Sequence, residues 1–199
     1  MPKSQKAENK DPIFYNSLEE SEKAAWSLFE SGVTDRKSYF HTPIVISKSL
    51  AGSLKPRTMV LRKVIKEALE LQFHTDTRSN KVEEIVENNL GAIIVYDMTT
   101  KVQLRIEAKF KILEDSSVIG ERWSNMKNMS KECYAVSVAP GTELQDPERL
   151  EFMDSGEDNF TILSAKVLKM EWLYLCYKGN RRASFDYRLG KSVKSWLVP

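Results

Sequence analysis

Residues Val102 to Ile112 alternate apolar and polar side chains with hardly a break: Val102, Leu104, Ile106, Ala108, Phe110 and Ile112 on one side, Gln103, Arg105, Glu107, Lys109 and Lys111 on the other. A period of two fits only an extended strand, whose successive side chains point to opposite faces. Such a strand forms one wall of a barrel and presents its polar face to water or a ligand. The run LGAIIVYDM from Leu90 is continuously apolar, as expected of a strand covered on both faces.

Further strands are expected around it. SYFHTPIVIS from Ser38 is β-branched and aromatic, with Pro43 marking an edge or a bend. After a turn at SLAGSLKP, RTMVLRKVI and LELQFHTD read as paired strands joined around Lys66 and Glu67. NFTILSAKVLKMEWLYLCY returns to strand, and RASFDYRLGKSVKSWLVP reads as a final hairpin turning at Leu189 and Gly190. About seven strands with short connections predict a mainly β (α+β) chain, a largely antiparallel barrel or sandwich with two or three packing helices. Strand and helix do not alternate regularly and no GxGxxG occurs, which argues against a doubly wound fold.

The helices have their own signals. Ser17 and Glu20 form an S-x-x-E capping box for a helix over 17–30, with Leu18, Ala25, Trp26, Leu28 and Phe29 as its apolar face and Gly32 suited to the left-handed C′ position. Residues 114–131 repeat Val118, Ile119, Trp123 and Met126 at helical spacing, with Asp115 or Ser116 as cap. Residues 139–158, rich in Pro, Gly and acid, read as an irregular surface excursion. Residues 1–12 are expected to be a flexible tail and 13–199 a single domain.

Composition excludes several partners. The chain has 199 residues, 41% apolar and 29% charged, as in globular proteins. Its 30 basic residues are interleaved with 28 acidic ones, so no basic run marks a nucleic-acid surface. No stretch nears the ~18 apolar residues of a membrane span, and the N-terminus lacks a signal-peptide core. Cys133 and Cys176 are far apart and without metal-ligand spacing, so reduced thiols, no metal and a cytoplasmic or nucleocytoplasmic protein are expected.

The chemistry concentrates between Lys55 and Asn89. Here two strands lead into a helix whose start is small, polar and basic: Thr75, Arg78, Ser79, Asn80 and Lys81. Helix N-termini carry unpaired N–H groups and roughly half a positive charge, so a phosphate is stabilised there. Asn80 and Glu83 are spaced as a variant capping box, and Val82, Ile85, Val86 and Leu90 form the expected core stripe. His41 reads as a surface or core residue.

The order R-x-x-V-L-R (Arg57 to Arg62), F-H-T-D (Phe73 to Asp76), S-N-K before a helix (Ser79 to Lys81) and V-Q-L-R-I-E-A (Val102 to Ala108) resembles the FMN-binding split barrel of the pyridoxamine 5′-phosphate oxidase family. The ending Trp196-Leu197-Val198-Pro199 is similar to that family's terminal strand, and Ala139 to Thr142 resembles a divergent FMN-binding branch. The resemblance covers about Ser38 to Pro199.

It implies an FMN-binding split β-barrel and a homodimer with FMN at the subunit interface. Arg57 and Lys81 would pair with the FMN phosphate, helped by Thr75 and Ser79, with Asn80 at the helix start. The segment Thr58, Met59, Val60, Leu61 and Arg62 would lie along the isoalloxazine, Gln103 would hydrogen-bond the ring, and His74 would make a backbone contact. Arg62 and Arg182 would grip a substrate anion. The implied function is an FMN-dependent oxidoreductase of vitamin B6 metabolism, taking a hydride from pyridoxamine or pyridoxine 5′-phosphate or another small planar substrate. No dedicated catalytic acid or base is identified. A flavin or B6-vitamer carrier without turnover is the alternative, and a structural dimer with an empty site the third reading.

The sequence also departs from the oxidase. Asn80 stands where the family has arginine, Met126 where a helix arginine holds substrate phosphate, and Asn180, Arg182 and Ser184 where R-x-H-x-R occurs. Arg78 is expected to compensate for Asn80.

Overall fold

The structure, a computed structural model, describes residues 11–199. Most of the tail expected over 1–12 therefore lies outside the described residues. Asp11 pairs with Lys178 at 2.9 Å, and Pro12 leads into a 3₁₀ turn over Ile13–Asn16.

Among the described residues nine strands form one antiparallel sheet: β1 (Ile44–Lys48), β2 (Leu54–Thr58), β3 (Leu61–Ile65), β4 (Glu70–Asp76), β5 (Leu90–Asp97), β6 (Val102–Ile112), β7 (Phe160–Tyr174), β8 (Arg181–Asp186) and β9 (Val193–Leu197). The order is β2-β1-β5-β6-β7-β4-β3, with β8 and β9 branching from β7. The branch explains the split. One edge of β7 pairs with β6 from Leu163 to Tyr174, while its other edge serves β4 over 160–166 and then β8 over 169–174. The switch falls at Leu168, an extra residue in the β6–β7 ladder whose carbonyl accepts from Tyr187 N–H at 2.9 Å. A bulge bends its strand, and here it turns one partner away as the next arrives.

The alternation of β6 is borne out: its even-numbered residues from Val102 to Phe110 are buried, and the odd-numbered ones face outward. Arg57 and Leu61 belong to different strands, a correction to the single strand read from RTMVLRKVI. Met59, whose N–H bonds the Pro43 carbonyl at 3.1 Å, and Val60 carry the chain from β2, paired with β1, to β3, paired with β4.

Helix α1 (Leu18–Thr34) packs Ala25, Trp26 and Phe29 into the sheet, and Trp26 Nε1 donates to the Tyr187 hydroxyl at 3.2 Å. Ser17 caps it as expected, accepting from Glu20 N–H at 3.2 Å. The helix runs one turn past the predicted end, and Gly32 lies inside it. A Cβ there would stand 2.7 Å from the Phe40 carbonyl carbon, so close approach rather than left-handed capping calls for glycine. Phe40 itself belongs to a 3₁₀ turn over Tyr39–His41, where a strand was expected.

Helix α2 (Asn80–Glu87) is capped by Ser79 and not Asn80. Its buried residues are Glu84 and Ile85, whereas Val86 is 75% exposed and Leu90 opens β5 at 57% exposure. The helix is thus rotated from the predicted Val82–Ile85–Val86 stripe. Helix α3 (Ser116–Ser124), capped by Asp115, and the short α4 (Asn128–Lys131) replace the single helix expected over 114–131. Trp123 of α3 packs on Phe160 and Ile162 as a second small core.

Candidate functional site

The end of β4, the turn after it and the start of α2 build a polar niche. Asp76 stabilises the turn by accepting from Arg78 N–H at 2.8 Å. Ser79 Oγ donates to the Asp76 carbonyl at 2.7 Å, which fixes the hydroxyl at the helix start. Lys81 then folds back over its own helix N-terminus: Nζ donates to Ser79 Oγ at 2.8 Å and to Thr75 Oγ1 at 3.1 Å. Thr75 and Ser79 are themselves buried, so their hydroxyls are held in place.

Arg57 reaches the same volume from β2. Its Nη1 donates to Ser47 Oγ at 2.6 Å and its Nη2 pairs with Glu84 Oε2 at 3.3 Å. Burial, and next the neighbouring Arg57, push the Lys81 pKa below the ordinary lysine value, against the opposing pull of Asp76 and Glu84. Two cations placed to repel one another, beside two hydroxyls and a helix N-terminus, are stabilised by an added anion.

Arg78 does not join them. Its Nε and Nη2 grip the two Asp76 oxygens at 3.1 and 2.8 Å, while Nη1 donates to the Val136 and Ser137 carbonyls at 3.0 and 3.3 Å. It ties Val136 and Ser137, just ahead of the 139–158 excursion, to the turn before α2, and does not replace the charge absent at Asn80. Asn80 opens α2 with its side chain exposed, and no hydrogen bond among the described residues ties that side chain to the niche.

The segment after Arg57 divides by face. Thr58 is exposed on the other side of β2, whereas Met59 and Leu61 are buried in the core and could meet a ligand only through their backbone groups. Arg62 is the bulged residue of β3, two residues of which (62 and 63) advance against one step of β4 from Phe73 to Gln72. A bulge re-aims a side chain. Arg62 Nε is buried without a hydrogen-bond partner among the described residues. Nearby, His74 packs edge-on against Phe160 at 4.9 Å, and Tyr134 against Phe160 at 5.2 Å. Burial first, then Arg62 and Arg122, hold the His74 pKa down to about 3, so its imidazole is neutral at pH 7. Burial pushes Tyr134 up to about 12 against the opposing effect of Arg62. Arg122 and Tyr134 were not singled out from the sequence.

Two expected residues lie elsewhere in the single chain. Gln103 is on the outward face of β6, opposite Tyr96, with β1 and β5 between it and β2. Arg182 of β8 donates to Glu171 Oε2 at 2.6 Å, and Arg105 shares that oxygen at 2.5 Å. Sequence reading also missed Ser47 and Glu84. The signal for Glu84 was its spacing: it lies three residues beyond Lys81 and next to Ile85, on the stripe that the rotated helix buries. Among the described residues no group of His, Cys, Asp and Glu could hold a metal ion, and no helix is long and apolar enough to cross a membrane.

An antiparallel barrel split at β7, with this anion niche at the first turn of α2, defines the class: an FMN-binding split β-barrel fold. Within it, the chain is similar to the pyridoxamine 5′-phosphate oxidase-related FMN-binding family. Residues 24–114 match the family described as "Pyridoxamine 5'-phosphate oxidase, FMN-binding domain". A pyridoxamine 5′-phosphate oxidase-related, FMN binding protein from Nostoc punctiforme superposes with a TM-score of 0.72 at 17% identity, over 89% of this chain and 96% of that one. PhzG from Burkholderia lata, solved with tetrahydrophenazine-1-carboxylic acid, gives a TM-score of 0.73 at 15% identity over 96% and 98%. A protein related to general stress protein 26 from Clostridium acetobutylicum gives 0.54 at 15% identity over 85% and 96%. At these identities the structural likeness establishes the fold. No curated protein matches the chain in sequence.

Proposed function

We propose that this chain is an FMN-binding homodimer that oxidises a small planar anionic substrate, of the pyridoxamine phosphate kind, by hydride transfer. The observation that carries the reading is the meeting of Arg57, Lys81, Thr75 and Ser79 at the start of α2. The niche suits a phosphate monoester: two cations, the Thr75 hydroxyl, backbone N–H groups at the helix start, and a Ser79 hydroxyl that would turn from the Asp76 carbonyl to donate. Bound there, FMN would supply the hydride-accepting ring. The chain's part is to hold and orient.

Arg62 fits the substrate side. Its buried Nε lacks a hydrogen-bond partner among the described residues, Arg122 adds a second charge, and an aromatic wall of His74, Phe160 and Tyr134 suits a flat ring. His74, held neutral and poorly basic, serves as wall and not as proton acceptor.

The dimer is supported by β5. Its sequence predicts cover on both faces, yet in one chain Ala92 and Ile94 are only partly covered and Tyr96 is 40% exposed. Leu90 at the start of β5, and Ile44, Leu54 and Val86 on other elements, add further exposed apolar surface. Apolar surface of this extent is characteristic of interfaces. Gln103 and Arg182 share the outward sheet face with Ile94, where a partner's site would receive them. The free cysteines agree with a cytoplasmic setting.

Arg182, held by Glu171, favours the second reading, a flavin or vitamer carrier that has lost turnover. Anaerobic addition of pyridoxamine 5′-phosphate to the FMN-loaded protein separates the two. Bleaching of the flavin band supports the oxidase, and a band that no candidate donor bleaches leaves the carrier.

A further inference from the structure

We propose that Glu84 is a positioning residue of the phosphate niche: it orients Arg57 and offsets its charge, so that a flavin phosphate is held loosely enough to exchange. The inference rests on the FMN-binding reading above and adds a regulator to that site.

Glu84 is 7% exposed, unusual for a glutamate on a short surface helix. A single oxygen, Oε2, accepts both from Ser47 Oγ at 2.5 Å and from Arg57 Nη2 at 3.3 Å, while Ser47 Oγ accepts from Arg57 Nη1 at 2.6 Å. The guanidinium is therefore gripped at both terminal nitrogens, and its direction is set before any ligand arrives. The same contact supplies a negative charge. Arg78 is matched by Asp76 and Arg57 by Glu84, which leaves Lys81 as the niche cation without a carboxylate ion pair among the described residues. A buried carboxylate this close to an anion site weakens anion binding, because the low-dielectric surroundings screen it poorly. Asn80, exposed and uncharged, does not restore the balance.

The test uses FMN and riboflavin, which differ by the phosphate alone, titrated into wild type, Glu84→Gln and Glu84→Ala. Glutamine keeps the acceptor oxygen and removes the charge. Its preference for FMN over riboflavin should rise about fivefold at low salt, as expected for deleting one nearby unit charge, and the gain should shrink as salt is added. Alanine removes charge and orientation together, and its preference should stay at or below wild type. Unchanged thermal melting of the flavin-free Gln variant marks it as folded. A Gln variant with unchanged or weaker preference for FMN overturns the charge-offsetting role, and an Ala variant equal to Gln overturns the orienting role. Wild type that prefers FMN in those cases leaves the flavin reading standing, whereas wild type that binds neither flavin removes both.

Discussion

Replacing Lys81 by methionine should separate binding from stability. Lys81 Nζ donates to Thr75 and Ser79 at 3.1 and 2.8 Å, and burial with Arg57 alongside lowers its pKa. A depressed lysine pKa means that the folded state binds fewer protons than the unfolded one. Below the folded pKa the buried charge is a net burden on stability, which lightens as pH rises toward the ordinary lysine value near 10.5. Methionine removes that burden while filling similar volume. The hydroxyls left behind keep partners, since Ser79 still donates to the Asp76 carbonyl at 2.7 Å and lies 3.4 Å from Thr75 Oγ1. The flavin-free variant should therefore melt at or slightly above wild type at pH 7. FMN binding should move the other way. A charge-assisted hydrogen bond contributes about 1.5–3 kcal/mol, so its loss should raise the FMN Kd roughly 10- to 100-fold, with riboflavin affected far less. Calorimetric melting and fluorescence titration read the two effects. A variant that binds FMN as wild type does, or that loses several degrees of melting temperature, would refute the argument.

Other expectations follow from the same geometry. In wild type, FMN affinity should fall as pH rises through the lowered Lys81 pKa, because phosphate favours the charged amine, and should fall again below about pH 6 as the phosphate protonates. Titration across that range checks both limbs. Burial acts to raise the Glu171 pKa, but hydrogen bonds from Arg182 and Arg105 outweigh it and hold the group at about 2. Glu171→Gln should accordingly lose about 1 kcal/mol of stability above the ordinary glutamate pKa, a difference that disappears as pH falls toward 2, measured by urea unfolding. Gly91→Ala would place a Cβ 2.3 Å from both the Ile46 carbonyl oxygen and the Phe110 ring, and should destabilise by about 1–3 kcal/mol in the same assay. Sedimentation analysis should find wild type dimeric, as proposed, and Ile94→Glu, on the half-covered face of β5, monomeric.

The strands were legible where one face is buried and the other wet. In β6 the alternation survives because each buried side chain, from Val102 to Phe110, meets the same core. The α1 cap was readable because Ser17 and Glu20 act within one turn. Long-range demands were not readable. Position 32 needs glycine because Phe40 packs against the helix from outside it, and RTMVLRKVI breaks because β1 and β4 claim its two halves. The rotation of α2 has a similar origin: the Arg57 and Ser47 contacts draw Glu84 inward, and Val86 is left outside. At the site, Arg57, Thr75, Ser79 and Lys81 were visible as residue types in order. That Arg78 serves Asp76 and two carbonyls depends on a loop 58 positions away.

Binding of FMN compared with riboflavin by the purified wild-type protein bears most directly on the phosphate niche. One FMN per chain, held at least about tenfold more tightly than riboflavin, is the result expected from Lys81, Arg57 and the two hydroxyls acting on a phosphate. Equal affinity for the two flavins, or none for either, would contradict it.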